Sequence, residues 1–260
     1  MEKTKNDIMN GLVCELIGFK KDFELKKNGT YMLNDSLIKS IFIDDSLEKM
    51  TVEFKDGVTY SKKREEIDIF LNQILFNLII KEPVSFDLPN YKITDTYENG
   101  CLIKDKTNNN IVFASSCEGM LRRDAEKVYK DITQLPAEFK KNSIKYERIL
   151  KTFQNPNIIA QFMSLYQFLM ELLQGDKECV SQKDVIDYFK KNKDKYSFLW
   201  FRPTRRKGRN FDEDCFTYIR NEIGHCEETN DLNLYTQLGS TITQDLIRQL
   251  VIVINDVIMS

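Results

Sequence analysis

A single histidine, His225, and a single tryptophan, Trp200, supply all the imidazole and indole of this chain. One imidazole per chain excludes a two-histidine acid–base pair within a monomer. The six cysteines, Cys14, Cys101, Cys117, Cys179, Cys215 and Cys226, include no Cys-x-x-Cys pair. That spacing excludes a zinc ribbon and a compact disulfide scaffold, so reduced, buried thiols and no metal or other cofactor are expected. No apolar run is long enough for a secretory leader or a membrane span, which points to a cytoplasmic protein that makes no membrane contact. Repeats of fixed period and low-complexity tracts are also missing. A net charge of −2 argues against indiscriminate coating of nucleic acid.

What remains is ordinary material for a folded core, with 42% hydrophobic and 30% charged residues over 260 positions. That length predicts two domains, and the charged, proline-containing segment from Leu135 to Ser143 marks the expected boundary, giving 1–140 and 141–260. The predicted fold class is α+β. In the first domain Met50 to Tyr60 reads as two short strands around Asp56-Gly57, a dipeptide that favours tight hairpins. Ile67, Phe70, Leu71, Ile74, Leu75, Leu78 and Ile79 then recur at helical spacing, and the helix ends before Pro83. Three strands follow, broken at Asn99-Gly100 and at Asn108 to Asn110, and a helix is expected over Glu118 to Ile132. This mixed α/β domain with short antiparallel hairpins carries no assignable motif. A regulatory ligand or protein acting there, with the domain sensing or gating the second one, is one expectation.

The second domain reads as an all-α bundle of four or five helices. Asn155 to Gly175 opens on an Asn cap followed by proline and closes on glycine. Ser181 caps a helix with Val185, Ile186 and Phe189 on one side, and a single long helix over Thr241 to Met259 ends the chain. From Lys190 to Arg209 nine basic residues stand against the single Asp194, a net +8. Within that stretch Arg202, Arg205, Arg206, Lys207 and Arg209 are candidates for holding a phosphate backbone; a solvated basic face is the alternative. Trp200 lies in the same stretch, as either a loop residue packed back onto the bundle or a base-stacking platform.

The string Arg220-Asn221-Glu222-Ile223-Gly224-His225 carries the chemistry. Imidazole moves protons near neutrality, and guanidinium presents a permanently charged fork to phosphoryl oxygens. Arg220 and His225 are the candidate catalytic pair, and Asn221 is the candidate that orients the arginine or a phosphate. A structural histidine favoured by a helix carboxyl end is the alternative for His225. In an unbroken helix positions 220 and 225 lie about 140° apart. Either Gly224 ends the helix and turns His225 back, or a second subunit completes each site.

Arg220, Asn221 and His225, with four residues between Arg and His, resemble the motif of the HEPN family, and the resemblance covers about residues 144–260. It implies a HEPN-like helical bundle with metal-independent endoribonuclease activity on single-stranded RNA. It also implies a homodimer whose two motifs meet across the symmetry axis, in the setting of a toxin or antiviral defence effector. Other members resembling this pattern have lost activity and bind RNA or nucleotides as dimerisation modules, which is the second reading.

Overall fold

The computed structural model describes residues 9–19, 23–82, 86–104, 121–134, 137–175, 181–204, 210–229 and 232–260. It is α+β, with an antiparallel sheet in the N-terminal part and helices in the C-terminal part. Contacts divide the chain into residues 1–154 and 155–260, so the boundary falls 14 residues beyond the expected one.

In the first unit β1 (Gly11–Phe19), β3 (Tyr31–Met32), β4 (Ile38–Ile43), β5 (Lys49–Phe54), β6 (Phe86–Glu98) and β7 (Cys101–Lys104) form one sheet of order β3-β4-β5-β1-β6-β7. Leu12, Cys14 and Leu16 alternate along β1 and are buried in one core with Met50, Val52 and Phe54 of β5, the period-two signature of a half-covered sheet. α1 (Arg64–Lys81) covers it, burying Ile67, Phe70, Leu71, Ile74 and Leu78. The Asn99-Gly100 turn joins β6 to β7 with both residues at positive φ, 53° and 75°, as a two-residue hairpin of the primed type requires.

Two expectations change here. Asp56-Gly57 does turn the chain, with Gly57 at φ 78°, but no strand follows it; β5 pairs instead with β1 and β4. The helix expected from Glu118 begins at Ala125, as α2 (Ala125–Thr133), because β8 (Leu121–Asp124) is drawn into a parallel pair with β2 (Phe23–Lys26), and Asp124 accepts from Lys127 N as the cap. The third strand of the expected meander lies outside the described residues.

The domain boundary moves because α3 (Ala137–Lys141) and α4 (Ser143–Thr152) pack inward on the first unit. Phe139 stacks on Tyr146 at 4.0 Å, and Tyr146 meets Phe76 of α1 edge-on at 4.8 Å. Between α1 and α4 a cleft of about 560 Å³ is lined in part by Arg64, Glu65, Asp68 and Glu147, three carboxylates to one guanidinium.

The second unit holds α5 (Ile158–Gln174), α6 (Gln182–Lys191), the strands β9 (Phe201–Pro203) and β10 (Asp212–Asp214), α7 (Cys215–Thr229), α8 (Leu232–Thr241) and α9 (Gln244–Met259). Five helices among the described residues match the expected number, but the unit is not all-α as expected, because β9 in the basic stretch pairs antiparallel with β10 at the start of the motif helix. The cap of α5 is Asn157 rather than Asn155: its side chain accepts from Ile159 N and Ala160 N. The predicted terminal helix is α9, starting three residues later than expected because Thr243 caps it by accepting from Leu246 N, and α8 before it is a helix that the sequence pattern did not lead us to expect. Ser181 caps α6 as expected. α5 packs on α6, α7 and α9, and Phe162, Leu169, Phe189, Phe216, Leu250 and Ile254 are fully buried. Among the described residues no helix is long and apolar enough to cross a membrane.

Candidate active site

The motif is built on the step from hairpin to helix. β10 pairs with β9 so that Glu213 stands opposite Arg202 and Asp214 opposite Phe201. Successive strand residues point to opposite faces, and the two acids accordingly take separate tasks. Asp214 caps α7: Oδ1 accepts from Phe216 N and Thr217 N at 3.0 Å each, and Oδ2 accepts from Thr217 Oγ1 at 2.6 Å. With its proton given to Asp214, the Thr217 hydroxyl accepts from Tyr166 of α5 at 2.8 Å. Burial pushes the Asp214 carboxyl up to about 6, against the pull of these hydrogen bonds. The same burial raises the Tyr166 hydroxyl.

Glu213 turns the other way, into a polar network with the motif. Its Oε1 accepts from Asn221 Nδ2 at 3.0 Å and from Thr204 Oγ1 at 2.7 Å. Asn221 Oδ1 in turn accepts from Gln182 Nε2 at 3.0 Å and from Arg220 Nη1 at 3.3 Å. Glu213 and Asn221 are both buried. Donors on one side and a carboxylate on the other fix which way the Asn221 amide faces. Asn221 thereby links the arginine beside it to the buried Glu213.

Helix α7 runs unbroken through Gly224 to Thr229, which removes one of the two alternatives, a helix end at Gly224. Gly224 matters for a different reason. A Cβ built there would lie 3.7 Å from Arg220 Nη1, so the guanidinium passes directly over this position. At about 100° per residue, Gly224 lies about 40° and Asn221 about 100° around the axis from Arg220, both on the arc leading to His225 at about 140°. Both contacts of the guanidinium therefore draw it towards the histidine's side of the helix. His225 itself is exposed and precedes the last turn of α7, where the influence of a helix carboxyl end has already faded.

Gly224→Ala should raise stability by about 0.5–1 kcal/mol, since alanine constrains the unfolded chain and the added methyl meets Nη1 at ordinary contact distance. Gly224→Leu should keep the fold and displace the guanidinium, cutting any cleavage activity about 10²-fold. Thermal unfolding and a rate assay on the two variants check this pair.

The basic stretch is only partly in view. Arg202 is exposed on β9, whereas Arg205, Arg206, Lys207 and Arg209 lie outside the described residues. Lys195 is committed to Asp256 at 3.0 Å. The Trp200 ring does pack back, meeting Tyr218 of α7 at 5.7 Å and 67°, and keeps 38% of its surface exposed. Among the described residues no group of three His, Cys, Asp or Glu side chains is placed to hold a metal ion. Cys215 is buried, and desolvation pushes its thiol up to about 12. Glu213, Gln182 and Thr204 are the members of this site that spacing did not reveal; the run Asp212-Glu213-Asp214 just before the motif helix was the available signal.

Set against models of known families, curated proteins and solved structures, the chain matches none of them.

Proposed function

We propose that the helical unit is a metal-independent endoribonuclease acting on single-stranded RNA as a homodimer, in the manner of the HEPN family and in the setting of a toxin or defence effector. The observation that carries this reading is the Arg220 guanidinium, tethered over Gly224 by an amide that a buried carboxylate holds in place, on the same helix as the exposed His225. Such a fork, fixed before substrate arrives, suits the charge that builds on a phosphoryl group when the 2′-hydroxyl attacks.

In that reaction the 2′-oxygen bonds to phosphorus, the bond to the 5′-oxygen breaks, and one proton leaves the nucleophile as another reaches the leaving group. His225 takes one of these transfers, and the single imidazole per chain assigns the other to His225 of a second copy.

The test is incubation of the purified chain with end-labelled single-stranded RNA in the presence of a chelator. Products ending in a 2′,3′-cyclic phosphate and a 5′-hydroxyl are expected, with DNA of the same sequence left intact. Cleavage that stops on chelation, or that extends to DNA, overturns the mechanism.

One observation favours a second reading, a non-catalytic RNA- or nucleotide-binding dimerisation module. With α7 unbroken, Arg220 and His225 leave the helix about 140° apart. RNA binding without cleavage by the wild-type protein would select that reading.

A further inference from the structure

The aromatic run from Tyr196 to Phe201 divides into an inner and an outer part. Tyr196 is buried, and Phe198 meets Phe216 of the core edge-on at 6.3 Å. Trp200 is left outside, and among the exposed large hydrophobic residues of the described second unit it stands alone. Trp200, Tyr218 and Arg202 form a three-way cluster: the two rings meet edge-on at 5.7 Å, and the Arg202 guanidinium carbon is 4.9 Å from the Trp200 ring centroid and 5.6 Å from that of Tyr218. Among the described residues this guanidinium is engaged by the two rings and by no carboxylate.

Tyr218 and His225 are seven positions apart on one helix, within about 20° of the same face and roughly 10 Å along the axis. A short stretch of single-stranded backbone covers that distance. An isolated indole in a cationic setting lacks the extended apolar patch of a protein docking surface. It has what a flexible polyanion with flat faces needs: a ring, a stacked guanidinium plane, and a charged fork at the edge.

We infer that Trp200 and Arg202 form a stacking subsite for one unpaired nucleobase of the RNA, next to the scissile linkage. The base lies against the indole and the guanidinium plane, Tyr218 meets the indole edge-on, and the Arg202 N–H groups meet the adjoining phosphate. Recognition here is by π-face and charge, so it tolerates any base and favours purines through their larger stacking area. This subsite rests on the ribonuclease reading, and its test separates the two.

Because Trp200 is the only tryptophan, its fluorescence reports on this cluster alone. A 2′-O-methyl oligoadenylate, which cannot be cleaved through the 2′-oxygen, should quench the emission of the full-length chain, and inorganic polyphosphate should leave it unchanged. By anisotropy of the labelled oligonucleotide, Trp200→Ala should bind roughly five- to 150-fold more weakly and Trp200→Phe close to wild type. In cleavage assays Trp200→Ala should raise KM and leave kcat in place. Oligonucleotide binding without quenching, or equal quenching by polyphosphate, overturns the subsite and leaves the ribonuclease reading standing. Should the chain neither cleave nor bind RNA, the ribonuclease reading falls, and quenching by adenosine monophosphate decides: its presence keeps a nucleotide-stacking site and its absence removes it.

Discussion

His225→Ala is expected to unfold at the wild-type temperature and to lose cleavage by about 10²- to 10⁴-fold. The two halves of that result have separate origins. His225 is exposed, so truncating it opens no cavity in the core. His225 carries the only imidazole in the chain, the side-chain type that general acid–base catalysis most often uses. Arg220→Ala should fall by a similar factor, and Arg220→Lys should recover little, because an ammonium offers a point charge where the fork spans two oxygens. Mixing variants adds a sharper test. Because the proposed reaction uses His225 of both copies, a mixed dimer of His225→Ala and Arg220→Ala keeps only one imidazole, and mixing the two inactive variants should restore no activity. Recovery of the rate would show that one imidazole per site suffices. A His225→Ala protein that cleaves as fast as wild type removes the residue from the mechanism.

Asp214→Ala should lower the free energy of unfolding by about 2–4 kcal/mol. Loss of a helix cap costs about 0.5–2 kcal/mol, and a buried hydroxyl left without its acceptor adds about 1–3 kcal/mol. Asp214→Asn should be far milder. The amide oxygen can still accept from Phe216 N and Thr217 N, and the amide nitrogen can donate to Thr217, which then donates to Tyr166, reversing the direction of the chain of hydroxyls.

The two variants also differ in their response to pH. The folded-state pKa of Asp214 lies near 6, above the ordinary 3.8. Below about pH 4 the carboxyl is protonated whether the chain is folded or not, and its contribution to stability is fully present. As pH rises through 6 the folded state must ionise a desolvated group, and that contribution falls by about 3 kcal/mol. Urea unfolding at a series of pH values should show Asp214→Asn gaining on wild type between pH 4 and 7. Parallel curves would place the carboxyl's titration elsewhere.

Elements decided by local pattern were legible in the sequence. α1 follows from the spacing of its apolar residues, and α6 from Ser181 and the Val185, Ile186 and Phe189 stripe. Elements decided by distant partners were not. Leu-Arg-Arg-Asp at 121–124 has no strand alternation, and it becomes a strand because β2 offers it a parallel edge. Val58 to Tyr60 has strand composition, yet the chain there is turning into α1, and β5 already has neighbours on both sides.

The same distinction runs through the site. Arg220, Asn221 and His225 lie within six residues of one another and were visible as a string. Gln182, 39 positions before Asn221, is brought to it only by the packing of α6 on α7. Glu213 and Asp214 look alike in sequence, and only strand pairing at β9 and β10 decides that one holds the motif and the other starts the helix.

The pairing of Phe23–Lys26 with Leu121–Asp124 joins residues 98 positions apart in the chain, and Tyr129 adds a hydroxyl that accepts from Ile43 N. During translation, therefore, the N-terminal unit has no way to close while only its first hundred residues have left the ribosome. Strands β1 and β3 to β7 can pair among themselves before then, but β2 stays an open edge until the segment carrying Asp124 and Tyr129 emerges. Late closure of so long a loop makes this unit slow to complete, and the helical unit that bears the motif is synthesised only after that wait is over.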